Sequence, residues 1–227
     1  MTTLPRFFAG LCAALLAFPV AAFEGKVHFD MVTGKNTQPI VYSLKDDRAR
    51  MEMPNMGMSM ASILDGPKQK VFVLMPEQRM YMEMDLQDAV DAGNRVAKGK
   101  SKGNEVTFED TGESEVILGR KCQKFRISDR DSTTEVWAAD GMGRFAGQIG
   151  GRPGKGNTLP AWQKELASRE FFPLRMIARD RKNKEVLRMQ ATKIEETSIA
   201  DAAFEVPSDY QKFGLGGLMK GMIPGLK

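Results

Sequence analysis

The stretch from Ile40 to Met84 consists of short runs in which apolar and polar residues alternate. Alternation at period two places every second side chain on the same face of a β-strand, so these runs predict strands rather than helices. Asp65-Gly66-Pro67 and Pro76-Glu77-Gln78 are turn-forming segments between the runs. The pattern therefore predicts three or four short strands joined by tight turns, to which the rest of the chain adds further strands.

Eight methionines of this stretch fall into two groups, in which most neighbours are two residues apart. They are Met51, Met53, Met56, Met58, Met60, Met80, Met82 and Met84. Strand alternation predicts that each group lines one face of a sheet. Pro54-Asn55 interrupts the first group, so Met51 and Met53 need not share a face with the three methionines that follow.

The remainder of the chain reads mainly as strands, with two short segments of helical spacing. Phe23–Thr33 alternates like a first strand, and two further hairpins are predicted later in the chain, at 121–138 and 174–195. Helical spacing appears at Asp85–Val96 and again at Trp162–Arg169, which follows Pro160. We expect a single domain over residues 23–212 and a glycine-rich tail over residues 213–227.

The first 22 residues have the pattern of a secretory signal peptide. One cation, Arg6, precedes an apolar run from Phe7 to Val20, and small residues follow at Ala21-Ala22. A run of about 14 residues is shorter than the roughly 20 that a membrane-spanning helix needs. The pattern predicts export to the periplasm with cleavage near Ala22.

Charge and motifs argue against several classes of function. The net charge is only +4, and no basic run is long enough to indicate nucleic-acid binding. His28 is the one histidine, and neither a GxSxG nor an HExxH motif is present. The sequence therefore predicts a protein that is not an enzyme and has no nucleic-acid partner.

Cys122 is the one cysteine that remains after the predicted cleavage. It has no partner for an internal disulfide, although an exported protein is in an oxidising compartment. Arg120, Lys121 and Lys124 are its neighbours in sequence, and cations close to a thiol lower its pKa. Two interpretations stay open: a half-buried structural cysteine, or a thiol with an intermolecular or redox role.

The methionines also support two interpretations. Flexible, polarizable methionines line adaptable apolar surfaces, which predicts either a filled core or a cavity for an apolar ligand. Thioethers are also soft ligands that suit Cu(I). The candidate ligand-lining residues are Met51, Met53, Met80, Met82, Met84, Phe72 and Trp162, and the candidate metal ligands are Met56, Met58 and Met60.

The order of several short motifs resembles a family of exported bacterial proteins, domain of unknown function 4412. The matching segments include Val73-Leu-Met-Pro-Glu77, Ile117-Leu-Gly-Arg-Lys-Cys122, Glu135-Val-Trp137, Phe172-Pro-Leu174 and Phe204-Glu-Val-Pro207. That family is in turn similar to LolA/LolB-like carriers of bacterial lipoproteins. The resemblance implies a strongly curved antiparallel sheet, an incomplete barrel whose concave face is plugged by helices, here the two predicted at Asp85–Val96 and Trp162–Arg169.

These observations together predict a periplasmic, non-enzymatic carrier. Its curved sheet would hold an apolar ligand, a lipid or a lipoprotein acyl chain, and no cofactor is expected. The alternatives are a Cu(I)-binding protein that uses Met56, Met58 and Met60, and an envelope interaction module. In that last case residues 213–227 would contact a membrane surface.

Overall fold

The structure, a computed structural model, describes residues 23–53, 59–88, 106–143, 145 and 171–213. Their twelve strands form one large, open, curved sheet. The strands are β1 (Gly25–Thr33), β2 (Asn36–Lys45), β3 (Arg48–Met53), β4 (Met60–Asp65), β5 (Lys70–Met75), β6 (Met80–Asp85), β7 (Thr107–Ile117), β8 (Arg120–Ser128), β9 (Ser132–Ala139), β10 (Phe172–Asp180), β11 (Glu185–Glu196) and β12 (Gln211–Lys212). The predicted mainly β fold is therefore confirmed.

Two meanders make up this sheet. Their strands follow the order β12-β6-β5-β4-β3-β2-β1-β11-β10-β9-β8-β7. Neighbouring strands in this order are antiparallel, except that β12 runs parallel to its neighbour, β6. The pairing of β1 with β11, which sets Gly25 opposite Glu196, joins the first meander to the second. This long-range pairing decides which side chains from the two halves share a face.

The predicted plug of two helices is not supported. Strand β6 continues to Asp85, the predicted first residue of the first helix, and the described residues that follow, 86–88, are helical. Residues 89–96, the second predicted helix at 162–169 and the predicted tail at 214–227 lie outside the described residues. Within the described part, no helix is long and apolar enough to cross a membrane.

The larger hydrophobic core lies on the face that carries Phe29, Tyr42 and Met51, which we call the Met face. Phe29, Tyr42, Phe172 and Phe145 form a cluster with ring centroids 5.5–6.0 Å apart. Tyr42 is fully buried, and burial raises the pKa of its hydroxyl above the ordinary value. The core therefore joins residues of β1, β2 and β10 with Phe145, which follows β9.

A C-terminal strap, residues 199–210, covers the opposite face of β3–β6. Phe204 and Ile199 are buried there against Ile63 and Leu74. Arg48 lies over the Phe204 ring at 5.0 Å and pairs with Asp201 at 2.8 Å. The strap therefore buries a second, smaller apolar cluster, so both faces of this half of the sheet contain apolar residues.

The opposite face of β7–β10 is polar and carries a network of ion pairs. Glu135 accepts from Lys124 at 3.0 Å and from Arg179 at 2.8 Å. Trp137 lies between two cations, with Lys124 at 5.2 Å and Arg175 at 5.1 Å from its ring. These contacts arise because all five residues occupy neighbouring positions on adjacent antiparallel strands.

Candidate ligand-binding face

Strand register places three residues from each of β3, β4, β5 and β6 on the Met face. Directly opposed pairs in antiparallel strands share a face, and the pairs here run without a shift from β3 to β6. The twelve residues are Ala49, Met51, Met53, Met60, Ser62, Leu64, Val71, Val73, Met75, Met80, Met82 and Met84. The four strands thus present one continuous patch that contains seven methionines.

The patch carries no charge. Ser62 is its one polar residue, and the other eleven are apolar. On the other side of the same strands, Arg50 pairs with Glu52 at 2.8 Å and Lys70 pairs with Glu83 at 3.3 Å. The two faces therefore differ sharply in chemistry, and the Met face suits an uncharged, apolar ligand.

Burial decreases across the patch from β3 to β6. Met51 and Met53 are 2% and 7% exposed, whereas Met60, Met80 and Met82 are half-buried. Met75 and Met84 are half-buried as well. The first two methionines therefore belong to the core, and the accessible part of the patch lies on β4, β5 and β6.

Four methionines form a row at one end of this patch. Met53 lies opposite Met60, and Met75 lies opposite Met80. In β4 and β5, Ala61 lies opposite Leu74. Extending this register by one residue sets Met60 opposite Met75. Met60 therefore shares a face with Met53, whereas the interruption at Pro54-Asn55 left this open in the sequence.

Phe72 lies on the other face of the sheet from the candidate methionines. Its ring centroid is 6.3 Å from that of Tyr81, and it packs with the cluster under the C-terminal strap. The structure therefore separates Phe72 from Met51, Met53, Met80, Met82 and Met84, which it brings together. Trp162, Met56 and Met58 lie outside the described residues.

Sequence reasoning missed two contributors to the Met face. Met75 ends an almost wholly apolar run, in which alternation is hidden because neighbouring residues are apolar too. The second contributor is an aromatic stack, in which Phe125 lies 5.0 Å from Phe171 and 5.2 Å from Phe108. Only the pairing of β7 with β8 shows that two of these rings are neighbours, since Phe108 opposes Ile127, two residues from Phe125.

Cys122 is buried and its thiol donates to the carbonyl oxygen of Arg120 at 3.6 Å. Burial raises the pKa of this thiol, and the charge of Glu115 acts in the same direction, while a backbone hydrogen bond from Ile117 and the charge of Arg175 oppose them. A buried thiol with a raised pKa is a poor nucleophile. The geometry supports the structural interpretation of this cysteine.

His28 lies on the polar face, where its Nε2 is 2.6 Å from Glu195. Lys193 and then His28 hold the pKa of the Glu195 carboxyl below its ordinary value. Within the described residues, no group of three His, Cys, Asp or Glu side chains is arranged to hold a metal ion.

The family model for a domain of unknown function, DUF4412, matches residues 23–210. The chain belongs to this family. The match includes all of the Met face, and the resemblance seen in the sequence is confirmed. A comparison with the curated proteins finds no match.

Several solved structures are similar to this chain at low sequence identity. PNGF-II has a TM-score of 0.50 and 14% identity over 88% of this chain, which spans only 32% of the PNGF-II chain. An uncharacterized conserved protein from Thermus thermophilus has a TM-score of 0.47 and 10% identity, with 86% and 91% of the two chains covered. A putative outer membrane lipoprotein-sorting protein domain from Vibrio parahaemolyticus has a TM-score of 0.33 and 7% identity, with 82% and 90% covered. At 14% identity the likeness to PNGF-II concerns the fold alone.

Proposed function

We propose that this protein is a non-enzymatic carrier of the bacterial envelope that holds an apolar ligand against the Met face. The ligand is a lipid or the acyl chain of a lipoprotein, and the compartment is the periplasm, reached through the predicted signal peptide at residues 1–22. One observation carries the proposal: an uncharged patch of twelve residues remains partly accessible on β4, β5 and β6.

Physical chemistry supports an apolar ligand at this place. When a ligand covers the remaining surface of half-buried methionines, the apolar area removed from water stabilises the complex by about 25 cal/mol for each Å². Unbranched side chains with three rotatable bonds also adapt to ligands of different shape. The patch of Met60, Met75, Met80, Met82 and Met84 can therefore adapt its shape to an apolar ligand such as an acyl chain.

The test combines native mass spectrometry with titration by an uncharged, apolar naphthalene fluorophore. We expect the purified protein to carry lipid that organic extraction removes, and the extracted protein to bind the fluorophore. The double variant Met82→Gln/Met84→Gln makes the patch polar and should weaken binding by about tenfold, since about 1.4 kcal/mol is tenfold in affinity.

Met31→Gln is the matched control, because Met31 is also half-buried on the same face. Four strands separate β1 from β6, a distance of roughly 24 Å at 4.8 Å for each strand spacing. This control should bind like the parent protein. Equal binding by the double variant and the parent, or equal weakening by the control, contradicts the proposal.

A specific observation also favours a second candidate, Cu(I) binding at the methionine row. Met53, Met60, Met75 and Met80 set four thioethers on neighbouring strands, about 5 Å apart at their backbones. Soft thioethers suit Cu(I), and they persist where thiols are oxidised. The predicted ligands Met56 and Met58 lie between Met53 and Met60 in the sequence.

Titration with Cu(I) against a competing chelator tests this candidate. Replacement of Met56, Met58 and Met60 by leucine keeps the residues apolar and removes their sulfur, so copper affinity should fall at least tenfold. Fluorophore binding should stay unchanged in the same variant, because leucine preserves the apolar surface. Unchanged copper affinity would reject the copper candidate without affecting the carrier proposal.

A further inference from the structure

Strands β3–β6 contribute to apolar clusters on both of their faces, but methionine occurs in only one of these clusters. In the described part of the chain, the larger core contains buried methionines and has Met31, Met60 and Met84 packed against it. The cluster beneath the C-terminal strap contains Ile63, Leu74 and eight other residues, and none of those described is methionine. Branched aliphatic and aromatic residues therefore suffice for burial on one side, whereas the thioether is a feature of the Met face.

Burial divides the methionines of the Met face and its core into two groups. The accessible methionines are half-buried on β4, β5 and β6; they are Met60, Met75, Met80, Met82 and Met84. The buried methionines are at most 7% exposed; they are Met51, Met53, Met142, Met176 and Met189. Reagents in solution therefore reach the first group and are kept from the second.

A thioether is an apolar group that a peroxide converts into a polar one. The sulfur lone pair attacks hydrogen peroxide, an S–O bond forms, the O–O bond breaks, and the second oxygen leaves as water. The sulfur loses two electrons and the peroxide gains them. The product, methionine sulfoxide, is polar and disrupts surfaces that are rich in methionine.

We propose that the accessible methionines are an oxidation site, at which peroxide makes the Met face polar and releases its apolar ligand. Release rests on the carrier proposal, because it requires a ligand on this face. Ser62 has the one side chain of the patch that can donate a hydrogen bond to a sulfoxide oxygen. An apolar ligand would therefore separate most of the new oxygens from water without replacing their hydrogen bonds, which costs free energy.

The buried methionines allow the fold to survive this reaction. Met51 and Met176 are 2% and 1% exposed, and Met142 is fully buried. Oxidation at these positions would place a polar sulfoxide inside the core, but the closed packing keeps peroxide away from them. The difference in burial thus separates a loss of ligand binding from a loss of folding.

The first test is peptide mapping of the full chain by mass spectrometry after graded treatment with hydrogen peroxide. We expect the accessible methionines to be oxidised about tenfold faster than the buried ones. The uncharged naphthalene fluorophore, when bound, should slow oxidation of the accessible group, because it covers these side chains. It should leave oxidation of the buried group unchanged.

The second test is titration of the same fluorophore before and after oxidation of the accessible group. We expect its affinity to fall about tenfold while the circular dichroism spectrum stays that of the folded protein. A methionine sulfoxide reductase supplied with dithiothreitol should restore the affinity. The dithiol supplies the two electrons, and the oxygen leaves as water.

The triple variant Met80→Leu/Met82→Leu/Met84→Leu removes three thioethers and keeps three apolar side chains. Its readout is the ratio of affinities before and after peroxide, which should fall from about tenfold to about twofold. Met31→Leu is the matched control, because Met31 is half-buried on the same face and four strands separate β1 from β6. The control should keep the ratio of the parent protein.

Three results overturn the proposal. They are equal oxidation rates in the two groups, an unchanged affinity after the accessible group is oxidised, or the same loss of affinity in the triple variant as in the parent. A parent protein that binds no fluorophore before oxidation contradicts the carrier proposal and ligand release together. The peptide map needs neither a variant nor a ligand, so it decides the oxidation site by itself.

Discussion

Met53 and Met60 lie directly opposite each other across β3 and β4, although Pro54 and Asn55 interrupt the sequence between them. Opposed residues of antiparallel strands always share a face. This one pairing places Met51, Met53 and Met60 on a common surface. The register of β4, β5 and β6 then adds the methionines of the last two strands.

Met51 and Met82 should respond differently to truncation. Met51 is 2% exposed, so Met51→Ala creates a cavity and should reduce the free energy of unfolding by about 2–5 kcal/mol. Met82 is half-buried, so Met82→Ala should cost about 1 kcal/mol while weakening binding of the apolar fluorophore. Urea unfolding measures both, and equal losses of stability would contradict the assignment of Met51 to the core and Met82 to the accessible patch.

Glu135 should make stability depend on pH. Burial raises the pKa of its carboxyl, but ion pairs with Lys124 and Arg179 outweigh burial and hold it below the ordinary value. Because the pKa is lower in the folded state, the ionised Glu135 carboxylate stabilises the folded protein. This stabilisation is complete above the unfolded pKa, about 4.3, and is lost as the pH falls through the folded pKa.

Glu135→Gln should therefore lower the free energy of unfolding by about 1–3 kcal/mol at pH 7. The difference from the parent protein should shrink as the pH falls below about 4. Glu205→Gln is the control, because Glu205 is exposed and makes no ion pair in the described part of the chain. A difference that persists unchanged at pH 3 would show that the variant acts through packing rather than charge.

Cys122 should react slowly with thiol reagents in the folded protein. Its side chain is fully buried and its pKa is raised, so little thiolate reaches solvent at pH 8. We expect labelling to become fast and complete in 6 M guanidinium chloride. A Val186→Cys variant offers an exposed thiol for comparison, and rapid labelling of Cys122 in the native parent would support a redox role instead.

Phe204 should anchor the C-terminal strap. It is 1% exposed and lies beneath the Arg48 guanidinium, so Phe204→Ala should destabilise the protein by about 3–5 kcal/mol. Val206→Ala is the matched control in the same cluster, and its half-buried side chain should contribute about 1 kcal/mol. Chemical denaturation measures both, and a loss below 1 kcal/mol for Phe204→Ala would contradict the role of the strap.

The sequence by itself determined the strand-rich fold, the family and the alternation that groups the methionines of each strand. These properties are local, because period-two alternation and turn residues act within a few residues of each other. For the same reason the turns after Asp65 and Met75 appear where the sequence predicts them. The helical spacing of Asp85–Val96 begins where the structure turns helical, since β6 ends at Asp85 and residues 86–88 are helical, and the rest of that segment lies outside the described residues.

Only the tertiary structure decided how the faces combine. Phe72 stands in a run that is apolar on both sides, so alternation leaves its face undetermined, and the strap from residues 199–210 assigns it to the opposite cluster. The pairing of β1 with β11 joins residues that are more than 150 positions apart, which no local pattern encodes. The Met face and the ion pairs around Glu135 both depend on such long-range pairing, because strand register is set by contacts that form only when the whole sheet assembles.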